Sequence, residues 1–285
     1  MSTEHESTEH ERTEHESPGS TERYSHGHHE SVLRSHTWRT VENSAAYLIP
    51  SLVPGASVLD VGCGPGTITV DIAERVAPGS VVGVDAAADV IEKAAALGVE
   101  RSTANVTFAV GDAYALDFAD DSFDVVHTHQ TLQHLARPVE ALREFRRVVK
   151  PGGVVAARDV DYAGTVLFPL SDGLADWAAL YQRVHRSNGG EPDAGRRLQA
   201  WAHEAGFGRV VTTASVWAFA NDTDRTWWGG MWADRVLQSA FATDAVGKGF
   251  ATQADLERIS QAWSEWSVNP DALMMMPHGE ILARD

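Results

Sequence analysis

The sequence predicts a doubly wound α/β fold, in which helices cover both faces of a mostly parallel sheet and further helices form a cap. The first observation is a short apolar strand at 57–61 that breaks into closely spaced glycines and continues as an amphipathic helix at 66–77. The second is a continuing alternation of strand and helix patterns, which requires parallel strands joined by right-handed crossovers. The third is the length, because 285 residues with 43% hydrophobic content can bury one sizeable core with insertions.

The remaining elements follow in order along the chain. We expect strands near 81–85, 106–110, 123–128 and 153–160, and helices near 88–98 and 137–149. The later patterns predict helices over Asp172–Arg186 and Asp193–Gly206, a strand over Arg209–Phe219, helices over Asp224–Val246 and Gln253–Trp266, and a final apolar run over Ala272–Leu282. Residues 163–192 and 222–268 are expected to be helical insertions, placed over the carboxyl ends of the strands, where open parallel sheets bind ligands.

The first residues differ from the rest in composition. Residues 1–20 repeat the pentapeptides STEHE and RTEHE and contain nothing to pack, so we expect a disordered low-complexity tail before a single domain at 21–285. Val41, Ala45 and Leu48 share one helical face, which predicts a cap helix at about 29–52. Tyr24, His28, His36 and Arg39 are expected to serve packing or substrate contact rather than metal binding, because the histidine spacing matches no common zinc pattern.

The glycine turn at Val58–Gly66, which reads VLDVGCGPG, is the strongest local signal. A strand-to-helix turn of this kind presents free backbone N–H groups and lets a ligand approach the main chain closely. A P-loop would continue with Lys-Ser/Thr, whereas here Thr67 and Ile68 follow, and a dinucleotide fold would space its glycines as GxGxxG. Asp60 would repel a pyrophosphate and suits a ligand with an ammonium or sulfonium centre. These features disfavour a nucleotide triphosphate and a nicotinamide cofactor.

This turn resembles the first motif of class I S-adenosylmethionine (SAM)-dependent methyltransferases, and four later landmarks fall in that family's order. They are Val81–Asp85, Phe108–Ala113, Phe123–Val126 and Lys150–Gly153. The similarity is closest to the ubiquinone/menaquinone-type small-molecule methyltransferases and covers roughly 56–207. It implies a Rossmann-like, seven-stranded methyltransferase fold whose last two strands form an antiparallel hairpin at the sheet edge.

The resemblance also implies a set of residues that bind SAM. Asp85 would accept hydrogen bonds from both ribose hydroxyls, Asp112 would accept from the adenine amino group, and the N–H of Ala113 would meet the ring. The residues expected to bind the cofactor are Asp60, Gly62, Cys63, Gly64, Asp85, Ala86, Asp112, Ala113 and His129.

Three further residues are candidates for chemistry. Methyl transfer needs in-line positioning and exclusion of water, and a catalytic base is optional. His129 follows the fourth strand. Relatives that methylate amides carry Asn/Asp-Pro-Pro-aromatic at this place, and its absence here argues against an amide acceptor. His129 either accepts a proton from the acceptor, or it only shapes the pocket or contacts the SAM carboxylate. Asp159 and Asp161 share a face of the fifth strand by alternation. They either bind the acceptor or pair with Arg158 or Arg39.

Composition limits the partners. The formal charge of −17 argues against nucleic acid and anionic membranes, which need clustered cations. Cys63 is the single cysteine, which excludes an intramolecular disulfide, and no metal is expected. We expect a cytoplasmic protein, without stable membrane association, that acts on a small-molecule acceptor. The sequence does not indicate the oligomeric state, the acceptor or the atom that is methylated. A SAM-binding protein without transferase activity stays an alternative.

The inserted region is rich in tryptophan, namely Trp227, Trp228, Trp232, Trp263 and Trp266. These side chains either pack the added helices onto the core or line an apolar substrate pocket.

Overall fold

The computed structural model describes residues 38–285, so the expected tail and the beginning of the expected cap helix lie outside the described residues. Eight strands form one sheet. They are β1 (Val58–Val61), β2 (Val81–Asp85), β3 (Val106–Val110), β4 (Phe123–His129), β5 (Val149–Val160), β6 (Val166–Phe168), β7 (Arg209–Phe219) and β8 (Leu273–Arg284).

The order across the sheet is β3-β2-β1-β4-β5-β8, with β6 and β7 also paired to β8. The five strands β1 to β5 are mutually parallel, and β8 runs antiparallel to β5, β6 and β7. The predicted mostly parallel sheet and the antiparallel edge hairpin are therefore confirmed. The α-helices are α1 (Val41–Ser44), α2 (Thr67–Val76), α3 (Ala88–Glu100), α4 (Pro138–Val148), α5 (Asp172–Ser187), α6 (Leu198–Ala205), α7 (Asp222–Gln238), α8 (Ala240–Gly247) and α9 (Gln253–Val268).

The sheet has eight strands instead of the predicted seven. The additional strand is β6, which lies inside the segment expected to be a helical insertion. Its three residues pair with Leu273–Met275, beyond the part of β8 that pairs with β5. A strand this short has no usable alternation, so the sequence pattern could not indicate it.

Three predicted helices differ from the observed ones. The described part of the cap helix is α1 followed by a 3-10 helix at Ala46–Ser51 that contains Pro50, which has no N–H to continue an α-helix. The predicted Asp224–Val246 helix divides at Ser239, whose extended backbone ends α7 and caps α8. The predicted Asp193–Gly206 helix begins as a 3-10 turn at Ala194–Arg197 and becomes α6.

The helices between β7 and β8 pack on α5 to form a second layer beside the sheet. At its centre, the ring of Trp177 lies 4.8 Å from that of Trp232 and 4.9 Å from that of Trp263. These edge-to-face contacts bury three of the largest side chains. The helices α7 to α9 lie between the two strands of the last hairpin, and α7 lies beside the carboxyl ends of the parallel strands. No helix of residues 38–285 is both long and apolar enough to cross a membrane.

Candidate functional site

A cavity of about 420 Å³ opens at the carboxyl ends of β1, β2 and β4. Side chains and turns that follow these strands form one end of it, and residues of β7, β8 and α7 form the other. Parallel sheets bind ligands at this edge because the turns that leave neighbouring strands meet there. All nine residues expected to bind the cofactor lie on its wall, namely Asp60, Gly62, Cys63, Gly64, Asp85, Ala86, Asp112, Ala113 and His129.

The glycine turn begins with a bend that only glycine fits. Gly62 has a φ of +71°, and a Cβ at this position would overlap the side chain of Thr131. The N–H groups of Gly62 and Cys63 both donate to the carbonyl oxygen of Val84, at 2.8 and 3.0 Å. The turn is thereby fixed against the end of β2. The backbone of the turn, without a side chain at Gly62, therefore lies at the cavity wall, where a bound nucleoside could approach it closely.

Asp85 joins the turn to the next helix. Its Oδ2 accepts from the Gly64 N–H at 3.1 Å, and its Oδ1 accepts from the Ala87 N–H at 3.1 Å. A carboxylate has about four lone-pair sites, so both oxygens can still accept from ligand hydroxyls. The acid at the end of the second strand therefore fits a ribose, and the residues present suit SAM.

Asp60, by contrast, is held mainly by protein groups. It is 2% exposed; its Oδ1 lies 2.8 Å from His127 Nδ1, and its Oδ2 accepts from Thr69 Oγ1 at 2.6 Å. His127 is its register partner on β4. Asp60 thus ties β1 to β4 and to α2, and only part of it faces the cavity.

Two other cofactor candidates differ in exposure. Asp112 is exposed, and its Oδ1 accepts from the Tyr114 N–H at 2.9 Å, which shapes the turn after β3. Cys63 is 9% exposed, and burial raises the pKa of its thiol well above the usual value, with the charges of Asp60 and Asp85 adding to the effect. Cys63 is therefore a neutral wall group and not a nucleophile.

His129 ends β4 at the middle of the cavity. It is 5% exposed, and its ring centroid lies 5.7 Å from that of Trp217 and 6.3 Å from that of His278. Burial lowers the pKa of His129 well below 6.5, and the charges of Arg39 and Arg158 lower it further. Within residues 38–285, neither ring nitrogen has a hydrogen-bond partner. His129 is therefore a neutral imidazole with a donor and an acceptor available to a ligand.

Gln130 follows in an uncommon backbone conformation, with a φ of +53°. Its Oε1 accepts from Arg39 Nη2 at 2.8 Å, so its Nε2 donates to His278 Nε2 at 2.7 Å. His278 Nδ1 then carries the proton and donates to the Met276 carbonyl at 3.0 Å. Because arginine is only a donor, this chain fixes the amide orientation of Gln130 and the tautomer of His278.

Beyond His129 the wall is mostly aromatic. Tyr162, Trp217, Trp228 and Met276 line this end together with the guanidinium groups of Arg39 and Arg235. The apolar cluster behind the cavity contains Trp228, Trp232, Trp263 and Trp266, and of these Trp228 also lines the cavity. These tryptophans therefore pack the added helices, as one of the two predictions states, and the role of Trp228 in a substrate pocket stays a prediction.

Asp159 and Asp161 do not line the cavity. Arg158 is the register partner of His129, so Arg158 shares the face of His129 and Asp159 points to the opposite face. Asp159 is fully buried and accepts from the Gln133 N–H at 3.3 Å, and burial raises its pKa to about 8. This placement does not match the expectation that Asp159 binds an acceptor in the cavity.

Asp161 lies just beyond the end of β5. Its carboxylate binds Arg196 through both oxygens at 2.5 Å and accepts from the Gly164 N–H at 3.0 Å. Its pairing partner is therefore Arg196, rather than the predicted Arg158 or Arg39.

The sequence pattern did not single out Trp217, Arg235 and Met276, which line the acceptor end of the cavity, or His278, which lies beside it. Trp217 and Met276 are register partners in the β7–β8 hairpin, and His278 follows Met276 on the same face. Alternation along the last hairpin could have indicated this group once its pairing was known. Nothing in the local sequence distinguishes Arg235 from a surface arginine of an amphipathic helix.

The methyltransferase domain family model matches residues 52–213. An uncharacterized methyltransferase of Schizosaccharomyces pombe is 35% identical over 269 residues, which cover 91% of this chain and 95% of that protein. A demethylmenaquinone methyltransferase of Lactococcus lactis subsp. lactis is 34% identical over 167 residues, which cover 54% of this chain and 66% of that protein. Among solved structures, the YcgJ protein of Bacillus subtilis covers 84% of this chain and 97% of its own, with a TM-score of 0.54 and 21% identity, which shows a shared fold.

Proposed function

This chain belongs to the methyltransferase domain family and is a SAM-dependent methyltransferase, and we propose that its acceptor is a small molecule held in the aromatic end of the cavity. The observation that carries the proposal is the continuity of the cavity. One wall passes from the glycine turn and Asp85, past His129, to Tyr162 and Trp217. A donor bound at the turn and an acceptor between the aromatic side chains would meet beside His129.

SAM supplies a methyl group on a positively charged sulfur, which keeps the bonding electron pair when the acceptor forms its new bond to the methyl carbon. The residues of this chain position and shield the two reactants. The turn and Asp85 hold the nucleoside, and the aromatic wall excludes water. The neutral His129 accepts a hydrogen bond from a hydroxyl or amine of the acceptor and so aims its reacting atom. The low pKa of His129 makes it a weak base, so we assign it positioning before proton transfer.

Two observations favour a small acceptor over a macromolecule. The formal charge of −17 opposes binding to nucleic acid, and the sequence at His129 lacks the Asn/Asp-Pro-Pro-aromatic pattern of amide-directed relatives. The Lactococcus lactis relative is named for a small-molecule acceptor, demethylmenaquinone, which supports the same class for this chain.

The proposal is tested first by binding and then by turnover. Isothermal titration should show that the protein binds SAM and S-adenosylhomocysteine (SAH) and does not bind NAD. Transfer of radiolabelled methyl from SAM to small-molecule extracts should then produce a labelled low-mass product. Tight SAM binding without transfer to any small-molecule fraction would instead support a non-catalytic SAM-binding protein.

A matched pair of variants connects this function to the cavity. Gly62→Ala should weaken SAH binding by about tenfold or more, because a left-handed alanine costs roughly 1–2 kcal/mol and its Cβ overlaps Thr131. Gly152 has a similar φ of +80° with nothing within 4 Å of an added Cβ. Gly152→Ala therefore carries the same backbone strain away from the cavity and should leave SAH binding unchanged. Equal SAH affinity in both variants would remove the turn from the cofactor site.

A further inference from the structure

The charged side chains on the cavity wall are separated by sign. The carboxylates of Asp60, Asp85 and Asp112 all lie at the end formed by the turns after β1, β2 and β3. Arg39 and Arg235 lie at the opposite end, with the aromatic side chains. Hydroxyl and ammonium groups of a nucleoside donor suit the acidic end. The cationic end suits a ligand of the opposite charge.

Both arginines line the cavity and lie against aromatic rings. Arg39 donates to Gln130 Oε1, and its guanidinium carbon lies 5.7 Å from the ring centroid of Trp217. The guanidinium of Arg235 lies 4.8 Å over the ring of Trp232. Burial raises the pKa of the Tyr162 hydroxyl, and the positive charges of Arg235 and Arg39 both oppose that rise. Arg39, Arg235 and Tyr162 all line the same cavity.

The histidines at this end contribute no further charge. His129 is neutral because burial lowers its pKa, and His278 is fixed as a neutral acceptor toward Gln130. Among the described residues on the wall of the acceptor end, Arg39 and Arg235 are therefore the side chains that carry a charge. An arginine that is 3% exposed, as Arg235 is, acts across a low-dielectric space and binds carboxylate more strongly than a solvated one.

The shape of this end is set by flat side chains. The indoles of Trp217 and Trp228 and the phenol of Tyr162 face the cavity, and Met276 fills the wall beside Trp217. Aromatic rings favour stacked or edge-to-face contact with another ring, and methionine adapts to such a ligand.

We propose that the methyl acceptor is a flat aromatic molecule that carries an anionic group, with its ring between Trp217, Trp228 and Tyr162 and its anion on Arg39 and Arg235. The assignment rests on the proposed function, since it describes what the same cavity accepts beside the bound donor. It narrows the acceptor from any small molecule to aromatic acids, and it excludes aromatic cations.

The test uses three naphthalene probes on SAH-saturated protein, so that binding is measured without turnover. The probes are 1-hydroxy-2-naphthoate, 1-naphthol and 1-naphthylmethylammonium, which share a ring system and differ in charge. Isothermal titration should show that the naphthoate binds about tenfold or more tightly than naphthol, as expected for a charge-assisted contact. The ammonium probe should bind most weakly.

Variants connect that preference to the arginines. Arg235→Gln and Arg39→Gln should each bring the naphthoate-to-naphthol affinity ratio toward one, whereas Arg235→Lys should retain most of it. Arg183→Gln is the matched control, because Arg183 lies 4.5 Å over the ring of Phe250 on an exposed part of α5. It should leave the ratio unchanged. SAH affinity should be unaltered in all four variants, and Arg39→Gln tests the inference alone if Arg235→Gln fails to fold.

The outcomes separate this inference from the proposed function. Wild-type protein that binds no SAH would overturn both. SAH binding together with an equal or reversed preference among the probes, or with no probe bound at all, would overturn only the acceptor assignment. The assignment also fails if the preference survives in both glutamine variants.

Discussion

Asp85 is the residue on which the cofactor end of the cavity depends most. Its carboxylate accepts one N–H from the glycine turn and one from the residue before α3, so it sets the shape of the turn before a ligand binds. The same oxygens face the cavity and can accept from ribose hydroxyls. A single side chain therefore both builds the site and would bind its ligand.

We predict that Asp85→Ala weakens SAH binding by about two orders of magnitude. Two hydrogen bonds to a charged acceptor are lost, each worth roughly 1.5–3 kcal/mol, and the turn loses its fixed shape. Isothermal titration measures the change, and thermal melting establishes that the variant is folded. Asp117→Ala serves as the control, since Asp117 is exposed and lies outside the cavity wall. A folded Asp85→Ala protein with wild-type SAH affinity would contradict the assignment.

His129 shows how burial changes a residue's chemistry. A histidine at the expected methyl position suggests a general base, but burial and the charges of Arg39 and Arg158 hold its pKa well below 6.5. It is neutral at pH 7 and therefore ready to accept a proton, yet it binds that proton weakly. The sequence identified the residue, and the surrounding charges decide its role.

We predict that His129→Gln lowers kcat by no more than about tenfold, since a neutral hydrogen bond contributes roughly 0.5–1.5 kcal/mol. The acid limb of the wild-type pH profile should not lie near 6.5, because the pKa of His129 is lower. Steady-state kinetics on the natural acceptor measure both effects, with the exposed His203→Gln as control. A loss of about 10²–10⁴-fold that also removes the acid limb would establish His129 as a base.

At the scale of elements, the inserted helices are held by unusually close contact. Gly229 of α7 faces α9, and a Cβ there would lie 2.6 Å from Ser267 Cβ and 3.0 Å from the Trp263 carbonyl oxygen. Both of those atoms belong to α9, whose backbone cannot easily yield. The next residue, Gly230, has nothing within 4 Å of an added Cβ.

We therefore predict opposite effects for two adjacent substitutions. Gly230→Ala should stabilise the protein by about 0.5–1 kcal/mol, because alanine restricts the unfolded chain and favours helix. Gly229→Ala has the same helix-forming benefit but should destabilise by roughly 1–3 kcal/mol, because it separates α7 from α9. Urea unfolding measures the free energy in each variant. Equal shifts in the two would show that α7 and α9 do not pack as closely as described.

The elements that the sequence predicted well are those with a clear period. The bounds of β3 and β7 agree with the prediction, and the helices between the parallel strands agree within one or two residues. The region before β1 was harder, because Val41, Ala45 and Leu48 are buried as predicted while the backbone changes from α to 3-10 around Ala45. Burial at every third or fourth residue is compatible with either helix type, so periodicity could not separate them.

At the scale of the whole molecule, the two ends of the cavity differ in how far the sequence reveals them. The cofactor end is built from turns that directly follow parallel strands, so each residue carries a local signature. The acceptor end combines Arg39, Trp217 and Arg235 from distant parts of the chain. They meet only because β7 pairs with β8 and the intervening helices fold back over the sheet. No local sequence pattern indicates that these three residues line the same cavity.

Buried titratable groups also affect the stability of the whole fold. Burial lowers the pKa of His129, His134 and His278 well below 6.5 and that of His185 to about 4, so these residues are neutral when folded. Below pH 6.5 the unfolded chain binds protons that the folded chain does not, and stability falls as pH falls. Asp159 has the opposite effect. Its pKa is raised to about 8, so from pH 3.8 to 8 the folded chain binds an additional proton and stability falls as pH rises.

We therefore predict a broad stability maximum near pH 7. At pH 6.5 the four histidines of the unfolded chain are about half protonated and together bind about two protons, which outweigh the one proton that Asp159 holds in the folded chain. Near pH 7 the two contributions are equal, and above it Asp159 dominates. One proton changes the free energy of unfolding by about 1.4 kcal/mol per pH unit, so the opposing contributions nearly cancel and the wild-type free energy of unfolding should vary by less than about 1 kcal/mol between pH 6.5 and 8. Urea unfolding across pH measures this.

Asp159→Asn keeps the shape and an acceptor for the Gln133 N–H but cannot ionise. Its stability should therefore rise by roughly 1.5 kcal/mol from pH 6.5 to 8, because the unfolded histidines lose their remaining protons. The exposed Asp117→Asn should retain the wild-type curve. Equal curves for the wild type and Asp159→Asn would mean that the pKa of Asp159 is not raised.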